Sequence, residues 1–358
     1  MNTLKKLAAV LLCCVMLLSF AACHPKDEVA LTIGDVEITS ALYMYALISA
    51  DGEARSKVDE AKSSDSESSA EIDYYAEKVE DKKFEVWVKE RALELCADIA
   101  ANETKFRDTK LSLTEKQETE IAQYVDYYWS YYGYQALYET NGVSKETFSR
   151  AFKSSYYLNE YFLSIYGEKG TNPVAKDEVT KTMDENFAVA NVLSASLTDL
   201  KDAEKTETIN KFNGYLSRLE KGEEFGKIYN EYYEIKDSET ETDTKEDSDE
   251  AAPKDEFASI LGSEKTDYKN DNFKTVKEMK IGEIKLVKTD DAVTILIRGD
   301  MMADEYWIDS LETPTLNLIK GDEFTKDMAD FAKKLSVKKN NYAINRFKVK
   351  DIVYPTAG

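Results

Sequence analysis

Histidine is nearly missing from this chain: there is one in 358 residues, His24. It is the commonest general acid or base near neutral pH and the commonest metal ligand, so most hydrolytic and metal chemistry loses its usual groups. Catalytic signatures are missing as well, with no Gly-x-Ser-x-Gly elbow, no glycine-rich phosphate loop and no His-Glu-x-x-His helix. Cysteine is scarce: Cys13, Cys14, Cys23 and Cys96. The first two fall in an apolar leader, so a mature chain keeps Cys23 and Cys96. Cys96 shares a helical apolar pattern with Trp87, Ala92, Leu95 and Ile99 and reads as a small core residue. Neither a metal nor a cofactor is expected from so few ligands. Positive charge is also in deficit, with 47 Lys and Arg against 69 Asp and Glu and a net charge of -22. That excludes nucleic acid as a partner, because phosphate contacts need clustered cations. It favours solubility at a membrane surface.

A long hydrophobic run is absent too. The apolar stretch Leu7–Phe20 has about 14 residues, short of the roughly 20 that a spanning helix needs. It follows Lys5 and Lys6 and leads through Ala21 and Ala22 into Cys23. Basic start, apolar middle and small-residue end make residues 1–22 a secretory signal peptide. A plain signal peptide or an uncleaved anchor would share that layout. Leu18-Ser-Phe-Ala-Ala-Cys23 resembles a bacterial lipobox, with Phe20 where leucine is usual. The resemblance implies a diacylated Cys23, which leaves Cys96 without a partner for an internal disulfide. Each buried methylene contributes ~0.8 kcal/mol, and two chains hold firmly where one is marginal. The same resemblance implies that residues 23–28 form a lipidated tether on the extracytoplasmic face of a cell membrane, with a Gram-positive surface expected ahead of a periplasm.

Beyond the tether, Val29–Ile33 and Val36–Ile38 flank Gly34-Asp35 as a hairpin, and Thr39 or Ser40 caps the next helix. Residues 51–69 turn polar and read as a loop or disordered stretch. Helical periodicity runs from Tyr74 to about Asn186, with capping-box spacing at Thr114/Gln117 and at Ser112/Glu115, and a stop at Asn141-Gly142. Phe187–Leu197 is a strand candidate, and a single helix is expected from about Glu204 to Tyr229. Residues 237–256 carry ten acids against two lysines and read as an exposed insertion. A calcium loop is the alternative there, although its ordered Asp-x-Asp-x-Asp-Gly pattern is missing. Val293–Arg298 reads as a buried strand. Helix follows from about Ala303 to Leu335, broken or kinked at Pro314, and residues 342–353 form a closing strand or extended tail.

This order of parts is similar to the parvulin-type foldase lipoproteins, the PrsA-like and SurA-like chaperones. The features that carry the likeness are the lipobox, Leu31–Thr39 entering a helix, Tyr132-Gly133, Gly142–Thr147, a β-α-β module and a closing helix. The resemblance implies an α+β, mainly helical fold. A helical chaperone domain would be built from both chain ends, residues 29–186 plus 301–354. A small parvulin-like α/β domain would be inserted between them, at 187–300. Within that module, Asn191-Val-Leu193 stands where the family has His-Ile-Leu. Lys221-Gly-Glu-Glu-Phe225 resembles its Gly-x-x-Phe segment, and Ile281–Ile284 its Gly-Glu-x-Ser turn. Ala292–Ile295 replaces Gly-Tyr-His-Ile. The acidic insertion takes the place of the Gly-Gly-x-Gly turn and of the catalytic Asp or Cys. Asn191 and Thr294 therefore mark degenerate catalytic positions, and isomerase turnover is expected to be small or lost.

The chain is rich in one aromatic residue. Tyr124, Tyr127, Tyr128, Trp129, Tyr131, Tyr132, Tyr134 and Tyr138 crowd one stretch, and Tyr156, Tyr157 and Tyr161 follow. Consecutive aromatics exceed one helix face, so they either pack helix on helix or form a surface. Tyr127, Tyr128, Trp129, Tyr131, Tyr132 and Tyr157 are the peptide-binding candidates. The expected partners are unfolded or newly exported polypeptides, with the membrane contacted through lipid. Two rival readings stay open: an active prolyl isomerase with a non-histidine pocket, and a structural or ligand-binding lipoprotein that keeps only the architecture.

Overall fold

The computed structural model of the chain describes residues 28–63, 72–235 and 252–355. The leader, Cys23, His24 and the acidic insertion up to residue 251 lie outside them. The chain divides into two compact units, Met1–Ser164 with Glu323–Gly358, and Ile165–Asp322.

The first unit opens with strands β1 (Val29–Ile33) and β2 (Val36–Thr39), paired with Ile33 opposite Val36. Gly34 closes the turn at φ +63°, a left-handed conformation that glycine adopts without steric cost. Thr39 Oγ1 accepts from Leu42 N at 3.2 Å and caps helix α1 (Ser40–Ser63). The loop expected from residue 51 is helix as far as Ser63. Ala54 and Val58 continue the stripe of Leu47 and Ala50 into the core, so polar composition masked a buried face. Short strands β3 (Lys78–Val79) and β4 (Lys82–Lys83) lead into α2 (Phe84–Asp108), which buries Cys96 completely. Burial pushes that thiol's pKa well up, as expected of a core cysteine.

Helix α3 (Glu115–Ser130) begins with the Thr114/Gln117 capping box, both halves of which are formed. After α4 (Tyr134–Thr140), Gly142 takes φ +80°. Ser144 Oγ accepts from Thr147 N at 3.3 Å at the start of α5 (Lys145–Tyr166). Leu42, Leu47, Phe84, Val88, Ile121, Val125 and Phe148 share one core.

The second unit has α6 (Lys176–Asn186), β5 (Phe187–Ser196), α7 (Asp202–Glu220) and α8 (Phe225–Tyr232). The single helix expected over 204–229 is two, because Gly222 sits at φ +88° and ends the first. Arg218 clasps Glu223 through Nε (2.8 Å) and Nη2 (2.7 Å) across that break. Then come β6 (Ala258–Gly262), α9 (Phe273–Glu278), β7 (Ile284–Lys288) and β8 (Ala292–Arg298). The sheet order is β6-β5-β8-β7, antiparallel throughout. One face packs Leu193, Ala195, Val293 and Ile295 on Phe212, Leu219 and Ile228. The other sets Ala188, Ala190 and Leu296 against Phe273 and Val276.

Helix α10 (Glu305–Lys334) runs through Pro314 without ending. Leu311 and Leu316 are buried on either side of the proline, so packing holds what the missing N–H would loosen. Back in the first unit, β9 (Val337–Lys339) pairs with β1, giving the order β2-β1-β9. The closing strand thus precedes residue 342. The tail beyond it is helix α11 (Asn341–Asn345), a short 3-10 turn and an extended end. The fold is α+β and mainly helical, with one unit assembled from both chain ends and the other lying between them in sequence.

Candidate functional site

Asn191 and Thr294 occupy neighbouring strands, yet they do not meet. Strand register pairs Asn191 with Ile297 and Ser194 with Thr294. Residues 191 and 194 are an odd number apart, so they point to opposite faces of the sheet, and Thr294 follows Ser194. Thr294 is buried with its hydroxyl 2.8 Å from that of Ser194. Asn191, buried on the other face, donates from Nδ2 to Asp255 Oδ2 at 2.9 Å. Asp255 belongs to the described end of the acidic insertion. Its neighbour Lys254 is held too, donating its backbone N–H to Asp304 Oδ2 at 2.9 Å. Asn191 therefore anchors a loop. A cleft of about 460 Å³ in this unit is lined by Phe187, Tyr268, Pro314 and Leu318, among others, and by neither Asn191 nor Thr294.

The tyrosines of the first unit sort by helical position. On α3 the buried stripe is Ile121, Val125 and Trp129, at i, i+4 and i+8. Trp129, a binding candidate by sequence, is only 4% exposed. It stacks on Tyr138 (6.2 Å between centroids, 6° between planes) and packs on Phe148 (5.6 Å). It is a core residue, and its spacing from Ile121 and Val125 was the available signal. Tyr157 is half-buried and stacks on Phe106 at 4.2 Å.

The remaining candidates come together. Tyr127, Tyr131 and Tyr132 are 46%, 76% and 56% exposed, and Tyr124 and Tyr134 are exposed beside them. Tyr127 stacks on Tyr131 at 5.2 Å and meets the half-buried Tyr128 edge-on at 5.7 Å. Tyr128 reaches Phe152 at 5.9 Å, and Phe152 reaches Tyr156 at 5.9 Å. Gly133, at φ +72°, turns the chain so that Tyr132 and Tyr134 both return to Tyr128, at 5.5 and 6.1 Å. The result is a continuous aromatic lane along α3 and α5. Glu120 lies by Tyr156, where its charge helps raise that phenol's pKa after the larger effect of burial. Glu160 accepts from Gln117 Nε2 at 2.6 Å. Phe152, Glu120 and Glu160 were not singled out by sequence. Phe152 could have been, from the i, i+4 series Phe148, Phe152, Tyr156.

Among the described residues, no group of three or more His, Cys, Asp or Glu could hold a metal ion, and no helix is long and apolar enough to cross a membrane. No protein-family model matches the chain and no curated protein matches it. Solved structures similar to it include the foldase protein PrsA from Streptococcus pneumoniae str. Canada MDR_19A. That match has 11% identity and a TM-score of 0.39, covering 77% of this chain and 94% of that one. PrsA from Bacillus subtilis matches at 18% identity and TM-score 0.34, over 69% and 84% of the two chains. The foldase protein (PrsA) from Lactococcus lactis matches at 13% and 0.36, over 88% and 96%. At these identities and TM-scores the likenesses say nothing about function.

Proposed function

We propose that this chain is a membrane-anchored, extracytoplasmic holding chaperone that binds unfolded exported polypeptides. The observation that carries the reading is the aromatic lane from Tyr131 to Tyr156, edged by the exposed rings of Tyr124, Tyr127, Tyr131, Tyr132 and Tyr134. Monomeric proteins seldom leave so many large rings contiguous and exposed unless they bind something. Tyrosine offers broad apolar area with a polar tip, which suits contact with many unrelated sequences. The unit assembled from both chain ends is the binding body, and the inserted unit is the degenerate parvulin-like module. Lipid at Cys23 holds the protein beside emerging chains. The reading is tested by suppression of client aggregation: the chain from His24 onward, in excess over an unfolded client, reduces light scattering. No reduction at any excess overturns it. The anchor has its own check. Cys23→Ser moves the protein from the membrane pellet to the soluble fraction, and unchanged pelleting would count against a lipid anchor.

Isomerase turnover belongs to the proposal as a loss. Rotation about an X-Pro bond faces a barrier of ~18–20 kcal/mol. The family motif implies a histidine pair to lower it, and here the two positions hold Asn191 and Thr294 on opposite sheet faces. A proline-peptide isomerisation assay is expected to return the spontaneous rate. Clear acceleration would restore the active-isomerase rival.

A further inference from the structure

The geometry points to a charge preference in the aromatic lane: it selects extended polypeptide segments in which Lys or Arg alternates with apolar residues. This rests on the holding reading above and names the class of segment held. Four ring-to-ring steps of 5.2, 5.7, 5.9 and 5.9 Å lead from Tyr131 through Tyr127, Tyr128 and Phe152 to Tyr156. A peptide of about six to eight extended residues, at ~3.3 Å each, covers that distance.

Charge along the lane is one-sided. Residues 115–140, which supply all its exposed tyrosines, contain Glu115, Glu118, Glu120, Asp126 and Glu139 but a single cation, Lys116. Helix α5 sets Lys145 against Asp126 and Lys153 against Glu118, so those pairs cancel, and Glu120 and Glu160 carry the negative excess beside Tyr156. Residues 124–134 themselves contain no lysine or arginine. Ring faces are electron-rich and attract ammonium and guanidinium groups. Tyr127 stays a neutral phenol, its pKa raised first by a hydrogen bond to Tyr132. At the Tyr156 end the carboxylates of Glu120 and Glu160 complete a surface complementary to positive charge. Such complementarity steers encounter and penalises like charge, and close charge pairs add affinity as well.

The test uses the full chain in nanodiscs of neutral phospholipid, with empty nanodiscs as background. Three dye-labelled octapeptides share the same apolar positions and carry Lys, Gln or Glu at the others. Fluorescence anisotropy is expected to rank them Lys, Gln, Glu, with the Lys peptide about tenfold tighter than the Gln peptide. The gap narrows as salt is raised, because exposed charges are screened. Glu120→Gln with Glu160→Gln brings the Lys and Gln peptides within about threefold. Glu120→Lys with Glu160→Lys moves the Glu peptide ahead of the Lys peptide. Equal affinity for all three peptides, or an order that the double lysine variant leaves unmoved, overturns the charge preference and leaves the holding function standing. Failure of every peptide to bind overturns both.

Discussion

Replacing Tyr127, Tyr131 and Tyr132 together by serine removes client holding while the protein stays folded. These rings are the most solvent-facing part of the lane, with Tyr131 at 76% exposure. Binding energy at such surfaces concentrates in a few aromatic anchors, each costing about 2 kcal/mol or more when truncated, and the losses do not simply add. A combined loss near 3 kcal/mol weakens client binding about a hundredfold. Stability changes far less. Tyr131 and Tyr132 lie in the turn between α3 and α4, and only Tyr127 is inside a helix. Serine and tyrosine have similar helix propensity, so the helix itself loses little, and the lost ring contacts are exposed on one side. Trp129→Ala is the informative contrast. It removes a buried ring from the same helix and costs about 3–5 kcal/mol. Light scattering with an unfolded client reads the first effect, and urea unfolding reads the second. A triple variant that still suppresses aggregation like its parent would remove the lane from the mechanism.

The second large effect lies at Asp51. This carboxylate is fully buried on α1 and bonded by Arg55 Nε at 2.6 Å and by the Tyr354 hydroxyl at 2.5 Å, while its Oδ1 has no hydrogen-bond partner. The Arg55 guanidinium lies over the Tyr74 ring at 4.4 Å and the Tyr354 ring at 4.7 Å. Asn141 fastens the same tail, donating to Val353 O at 2.8 Å and accepting from Val353 N at 2.9 Å. Arg55→Leu leaves a buried carboxylate without its cation, a change that costs about 3 kcal/mol. Tyr354→Phe removes one hydrogen bond to a charged group and costs about 1.5 kcal/mol. The two losses are coupled, because both side chains end on the same carboxylate oxygen. Urea midpoints of the two single variants and the double variant measure this. Strict additivity would mean that the three groups do not act as one network.

Much of the local structure was readable before the fold. The Gly34-Asp35 hairpin, the Thr114/Gln117 box, the Ser144 cap and the strands near 187–196 and 292–298 each depend on residues a few positions apart. Where reading failed, a tertiary contact had outweighed composition. Polar residues 51–63 stay helical because Ala54, Val58 and Asp51 face inward. Of the break or kink expected at Pro314, the break is absent because Leu311 and Leu316 are packed beside it. Strand β6 went unseen because Ala258–Gly262 is too short to show periodicity. Residues 342–353 mix apolar and basic side chains and read as a closing strand or an extended tail; β1 takes Val337–Lys339 as its partner instead, and the tail ends extended.

The same division holds for the candidate site. From the sequence alone come the apolar stretch before Cys23, the scarcity of histidine and the crowding of tyrosines, because these are facts of residue identity and of spacing within one helical turn. Which tyrosines face solvent, that Trp129 does not, that Phe152 joins α5 to the lane, and that Asn191 and Thr294 point apart were decided by helix packing and strand register. A register shift of one residue sends a side chain to the other face of a sheet, and helix packing chooses which stripe is covered. Neither choice is written in the local pattern of a single segment.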